Sequence, residues 1–254
     1  MGPFFLRYNW GMSMPATIQR EHYAYADGST QCRGLVCRLA SLTLPAPVIV
    51  SCHAWGGRDA LADAAAERFA RMGWISLAAD LYGNGKTATE RNECSALMTP
   101  FMKDRAMLRE RLRATVAAAQ RIPGADGSRV VVAGFCFGGL CALDAARAAI
   151  PGVVGAASFH GLFTPPQLGP QGPIAAKVLV MHGWDDPMAK PDTVLALATE
   201  LTTAGAKWEI DAYGQTVHGF TNPSAADPAS GIVYDALACD RAFARVESFL
   251  AECA

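Results

Sequence analysis

The segment Val130-Val131-Val132-Ala133-Gly134-Phe135-Cys136-Phe137-Gly138-Gly139-Leu140 constrains the fold more than any other stretch of the chain. Small, mostly β-branched residues at its start predict a buried strand, and the apolar run from Leu140 to Ile150 predicts a helix. Between them sits a cysteine with glycine two places before it and two places after it. This is the pattern of a nucleophile elbow, a strand–turn–helix that lifts one side chain clear of a sheet, with Cys in place of the usual Ser. Side chains at Gly134 and Gly138 would strike neighbouring backbone in so tight a turn. A buried structural cysteine in a crossover fits the same window, because free cysteine is among the most buried residue types. The remainder of the chain decides between them.

Strand and helix signals alternate along that remainder. Alternation over Ile18–Tyr25 and Cys32–Leu39, with Asp27-Gly28 between, predicts a hairpin at a sheet edge. Strands are predicted at 48–52, 74–79, 153–159, 177–181 and 208–212, and helices at 59–72, 192–204 and 236–250. Residues 84–102 show no strong period before about Glu90 and read as an insertion over the top of the sheet. A helix is expected from Lys103 to Arg121, with Arg105, Arg109, Arg111 and Arg113 on a solvated face. Such alternation predicts an α/β fold, a mostly parallel central sheet with helices on both faces. One domain over 17–254 is expected, preceded by a flexible N-terminal extension over 1–16.

At 254 residues the chain is long enough for one full core. A net charge of −1 argues against nucleic acid or anionic membrane as a partner. No apolar run approaches the ~20 residues that cross a bilayer. The eight cysteines include no C-x-x-C pair, so a metal site is not expected. With no secretory signal read, the reduced cytoplasm is the expected setting.

In an open parallel sheet, chemistry collects at the carboxyl ends of the strands. Those ends carry His53-Ala54-Trp55-Gly56-Gly57, Asp80-Leu81-Tyr82, Cys136, His160, His182-Gly183-Trp184-Asp185-Asp186 and His218-Gly219-Phe220. A nucleophile, then an acid, then a histidine is the chain order of the α/β-hydrolase triad, which favours the elbow. Cys136 is then the nucleophile, His218 the general base and Asp186 the group that orients the imidazole. Asp185 competes with Asp186; spacing from Gly183 favours Asp186. The N–H groups of Phe137 and Trp55 are the candidate oxyanion donors. His53 either lines the pocket or satisfies a loop carbonyl. His160 and His182 are expected as structural neighbours of the loops, and His22 as exposed.

With Gly134-Phe135-Cys136-Phe137-Gly138-Gly139, Asp80-Leu81-Tyr82-Gly83, His182-Gly183-x-x-Asp186-Pro187 and His218-Gly219-Phe220, the chain resembles the dienelactone hydrolase family over about residues 17–252. The resemblance implies an α/β-hydrolase fold and a Cys–His–Asp hydrolase of small esters or lactones that needs no cofactor. Where founding members carry a glutamate after the residue matching His53, this chain has Ala54, so Cys136 is expected to pair directly with His218. Two substrate-clamping arginines of the family fall at Asn84 and Asn222. Losing both removes charge-assisted recognition of an anion and predicts neutral substrates. His53, Ala54, Tyr82, Asn84, Phe220 and Asn222 are the expected pocket residues. Lys86, Arg58 and Arg91 are the candidate replacement cations. A catalytically silent binding protein and a thioester or acyl-transfer enzyme are the alternatives. The expected partner is a small-molecule ester or lactone, and the expected assembly a monomer or small homo-oligomer.

Overall fold

The computed structural model describes residues 17–254; the extension expected over 1–16 lies outside the described residues. In chain order the elements are β1 (Ile18–Asp27), β2 (Thr30–Leu39), β3 (Ala46–Cys52), α1 (Ala60–Arg71), β4 (Ile75–Ala78), α2 (Arg91–Lys103), α3 (Arg105–Ala119), β5 (Ala125–Phe135), α4 (Phe137–Arg147), β6 (Val153–Phe159), β7 (Lys177–Gly183), α5 (Pro191–Thr203), β8 (Trp208–Tyr213), β9 (Ala226–Asp227), β10 (Ile232–Val233) and α6 (Ala236–Cys253). Eight strands form one sheet in the order β1-β2-β4-β3-β5-β6-β7-β8. β3 to β8 run parallel, and the β1–β2 hairpin joins antiparallel at one edge.

Period-2 alternation divides the core into two layers. Val48 and Val50 of β3, with Val130 and Val132 of β5, face Leu108 and Leu112 of α3, Leu140 of α4 and Leu197 of α5. Ile49, Val131 and Ala133 point the other way, against Phe69 of α1 and Phe243 and Val246 of α6. Each such fully buried large side chain contributes about 1.5–3 kcal/mol by leaving water. The central strands are apolar on both faces because helices cover both.

Two expectations fail in one region. The helix anticipated from Lys103 to Arg121 is preceded by a second one, α2, within the stretch read as an insertion. Asp104 closes α2 with its backbone N–H and caps α3 with its side chain, Oδ1 accepting from Met107 N at 2.8 Å. Nor is the α3 face with Arg105 and Arg111 solvated, since both arginines are buried. Arg105 pairs with Asp144 at 2.6 Å and Arg111 with Asp27 at 2.8 Å. Periodicity marks an arginine as surface; a carboxylate from elsewhere in the chain brings it inside.

Strand order places the site. After β4 the chain crosses back over β3 and lays β5 on its far side, then adds β6, β7 and β8 outward. The direction of winding therefore reverses between β3 and β5, where a crevice opens at the carboxyl ends. Cys136 follows β5 and His53-Ala54-Trp55 follows β3, so the two segments flank that crevice.

Candidate active site

Cys136 occupies the tip of the β5–α4 turn with φ 56° and ψ −115°, in the left-handed half of conformational space. Such a backbone costs on the order of 1–3 kcal/mol for a residue with a side chain. Its neighbours hold it there. A Cβ on Gly134 would fall on the carbonyl of Gly138, and one on Gly138 on the carbonyl of Cys52. The Cys136 N–H donates to Phe159 O at 3.0 Å, tying the turn to β6. Of the eight cysteines, Cys136 alone is half-buried; the other seven are buried. Phe137 opens α4, so its N–H has no acceptor within the helix.

His218 lies in the loop after β8, with its backbone fixed on both sides. Its N–H donates to Gly231 O at 3.0 Å and its carbonyl accepts from Val233 N at 3.1 Å. Asp186, in the loop after β7, is buried. Its Oδ2 accepts from His218 Nδ1 at 2.7 Å and its Oδ1 from Met188 N at 2.8 Å. Asp185, by contrast, is exposed. Nδ1 is thus occupied, and Nε2 is buried without a conventional hydrogen-bond partner. Burial opposes a charge on this ring, but the charge of the Cys136 sulfur and the Asp186 carboxylate outweigh it and raise the pKa to about 10.

The loop after β3 is built as a brace. Gly57 N donates to Ala54 O at 3.2 Å, closing a turn around Trp55. His53 is buried with both ring nitrogens engaged: Nδ1–H donates to Ala54 O at 2.6 Å and Nε2 accepts from Leu81 N at 3.3 Å. That fixes a neutral tautomer, and burial lowers the pKa. Tyr82 donates to Trp55 O at 2.9 Å, its ring edge-on to His53 and stacked on Phe137. One tyrosine therefore touches both segments that carry candidate oxyanion donors. Asp80 shapes the next loop, its carboxylate accepting from the amides of Arg33, Gly83 and Gly85, each at 2.8 Å.

The other pocket candidates fall differently. Ala54 is half-buried beside these groups. Asn84 is exposed in a left-handed turn, its N–H donating to Gln31 O at 2.6 Å. Asn222 is half-buried and its side chain accepts from Ser224 N at 2.9 Å. Phe220 is sealed in the core between His160 and Tyr213, edge-on to both. Among the candidate cations, Lys86 is exposed and Arg58 pairs with Asp63 at 3.4 Å. Arg91 lies over the Trp55 ring at 5.8 Å and pairs with Asp227 at 2.9 Å.

One residue gains a contact that spacing does not reveal. His160, expected only as a loop neighbour, lies edge-on to His218 with ring centroids 5.1 Å apart. Its φ is 38°, its Nε2 shares a hydrogen bond of 2.8 Å with Thr221 Oγ1, and its Nδ1 is buried without a partner. The available signal is its place at the end of β6, next to the carbonyl that receives the Cys136 amide. His182 is also buried at a strand end, edge-on to Phe163.

A parallel sheet wound outward from a central strand, with an elbow at that strand's end, defines an α/β-hydrolase. The chain belongs to the dienelactone hydrolase family, whose sequence pattern matches residues 33–254. It is similar to the dienelactone hydrolase-like promiscuous phosphotriesterase P91 from metagenomic libraries, at 32% identity and TM-score 0.89 over 94% of this chain and 99% of that one. It resembles the structure called m3DLH at 29% identity and TM-score 0.87, covering 93% and 98% of the two chains. An uncharacterized Caenorhabditis elegans protein, K02A2.1, is 35% identical over 147 residues, 57% of this chain and 93% of the relative. A thermophilic esterase of Thermogutta terrifontis shares the fold at 18% identity and TM-score 0.63, covering 91% of each chain. No helix among the described residues is long and apolar enough to cross a membrane.

Proposed function

We propose that this enzyme hydrolyses small carboxylic esters or lactones without a cofactor, through a Cys136–His218–Asp186 triad and an acyl-enzyme. The observation that carries the reading is the buried 2.7 Å Asp186–His218 hydrogen bond, combined with a His218 pKa raised to about 10 beside Cys136. The Cys136 sulfur attacks the acyl carbon while its proton rests on His218. Negative charge develops on the carbonyl oxygen, where the Phe137 and Trp55 amides are the donors we assign. His218 then gives its proton to the leaving alkoxide, and the thioester remains. A water deprotonated by His218 cleaves it, returning the acid and the free thiol. Asp186 holds the ring in the tautomer that leaves Nε2 free and stabilises its cation.

Ala54 beside His53 leaves no carboxylate next to the nucleophile, which supports direct Cys136–His218 pairing. Asn84 and Asn222 are neutral, which supports preference for uncharged substrates over the anionic dienelactone. P91 is described as a promiscuous phosphotriesterase, so a neutral phosphotriester belongs in the substrate panel.

Hydrolysis of p-nitrophenyl acetate before and after iodoacetamide tests the reading cleanly, because every other cysteine is buried. Loss of turnover in step with a single alkylation is expected. Full turnover after alkylation of Cys136 would remove it as nucleophile. Esterase activity absent across neutral and anionic esters alike would favour a silent binding protein.

A further inference from the structure

A second cleft, of about 200 Å³, lies between α3, the C-terminal half of α4 and the proline- and glycine-rich loop 165–173. Four guanidinium groups, Arg105, Arg109, Arg113 and Arg147, line it against one carboxylate, Asp144. We propose that this cleft binds a small phosphate-bearing anion.

Two of the four arginines have a structural role. Arg105 grips Asp144 at 2.6 Å and donates to Thr164 O at 3.2 Å. Arg147 binds Glu200 through two nitrogens, at 2.7 and 2.8 Å, and donates to Phe163 O at 3.0 Å. These bonds pin the chain that enters the loop, and both side chains are buried. Arg109 and Arg113 take no part in that network. Their pairing is with Glu110 of their own helix, at 3.1 and 3.8 Å, and they remain part-exposed.

Spacing makes the second pair informative. Arg105, Arg109 and Arg113 recur at i, i+4 and i+8, so three like charges stack on one helical face. Like charges four apart destabilise a helix by about 0.2–0.5 kcal/mol per pair. Asp144 and Glu200 are taken up by Arg105 and Arg147, so Arg109 and Arg113 share the single carboxylate of Glu110. The opposite wall is the loop. Among the described residues, no amide from Leu168, Gly169 or Gly172 donates to a backbone carbonyl. A Cβ on Gly169 or Gly172 would meet nothing within 4 Å, so both glycines border open space. Two part-exposed guanidinium groups that share one carboxylate and border such a gap match phosphate, which takes charge-assisted, bidentate arginine contacts. The volume of about 200 Å³ admits inorganic phosphate, pyrophosphate or the phosphate end of a sugar phosphate.

Calorimetric titration of the full chain with inorganic phosphate, pyrophosphate and glucose 6-phosphate at low ionic strength tests the site. Saturable one-to-one binding of at least one probe is expected, and the tightest of the three identifies the source of the phosphate. Prior alkylation of Cys136 should leave binding unchanged. Arg109→Ala/Arg113→Ala should weaken it by about tenfold or more, with the circular dichroism spectrum of the parent. Leu168→Glu, on the loop side, should weaken it independently. No saturable binding of any probe would overturn the proposal, as would binding that both variants leave intact or that alkylation abolishes.

Discussion

His160, at the end of β6, and His218, in the loop after β8, are both buried and lie with ring centroids 5.1 Å apart. They titrate in opposite directions. His218 is raised to about 10 because the charges of Cys136 and Asp186 overcome burial, whereas His160 falls well below its ordinary 6.5 because burial, with the His218 charge added, outweighs a backbone hydrogen bond. His160 meets a threonine hydroxyl where His218 meets a carboxylate. The lesson is that depth in this protein does not decide protonation; the nearest anion does. The effects on stability are opposed as well. The raised pKa of His218 stabilises the fold fully below about pH 6.5, and that contribution fades as pH climbs towards 10. The lowered pKa of His160 stabilises it above pH 6.5, a contribution lost as pH falls below that value.

The most severe way to break the contrast is Asp186→Asn, which leaves His218 without its carboxylate and able to adopt the wrong tautomer. Turnover of p-nitrophenyl acetate should fall by about 10³–10⁴ with KM little changed; a fall below tenfold would remove Asp186 from the triad. Cys136→Ser removes the other group that raises His218. Followed by NMR, the His218 titration should move down from about 10 by more than one unit, and an unmoved value would show that Asp186 alone sustains the cation. His160→Phe keeps the edge-on ring and discards the nitrogens. We expect kcat to drop by about tenfold with KM unchanged, and the acid limb of the thermal-stability profile below pH 6.5 to flatten. Arg91→Ala serves as the surface counterpart: its pair with Asp227 is more than 40% exposed on both sides. Removing it should change unfolding free energy by less than about 1 kcal/mol, as read from denaturant midpoints.

Much of this fold is legible in the sequence because its strands and helices alternate with clean periods. The order of strand ends then carries Cys136, Asp186 and His218 to one edge of the sheet. What cannot be read is whatever depends on a partner distant in the chain. Arg105 and Arg111 look solvated until Asp144 and Asp27 arrive from other elements. α2 hides because it buries only Cys94 and Phe101 and Pro100 sits inside it. The short β9–β10 ladder, two residues to a strand, leaves no period at all. The contact of His160 with His218 belongs to this class too, since two separate strand ends create it.

Helix α4 starts at Phe137, directly after Cys136, and ends at Arg147. Its eleven residues make a rod about 16 Å long, clamped at one end by glycines that admit no side chain and at the other by the grip of Arg147 on Glu200. Cys136 and the arginine cleft therefore stand at opposite ends of one fixed element, so a group added to the sulfur does not reach the cleft.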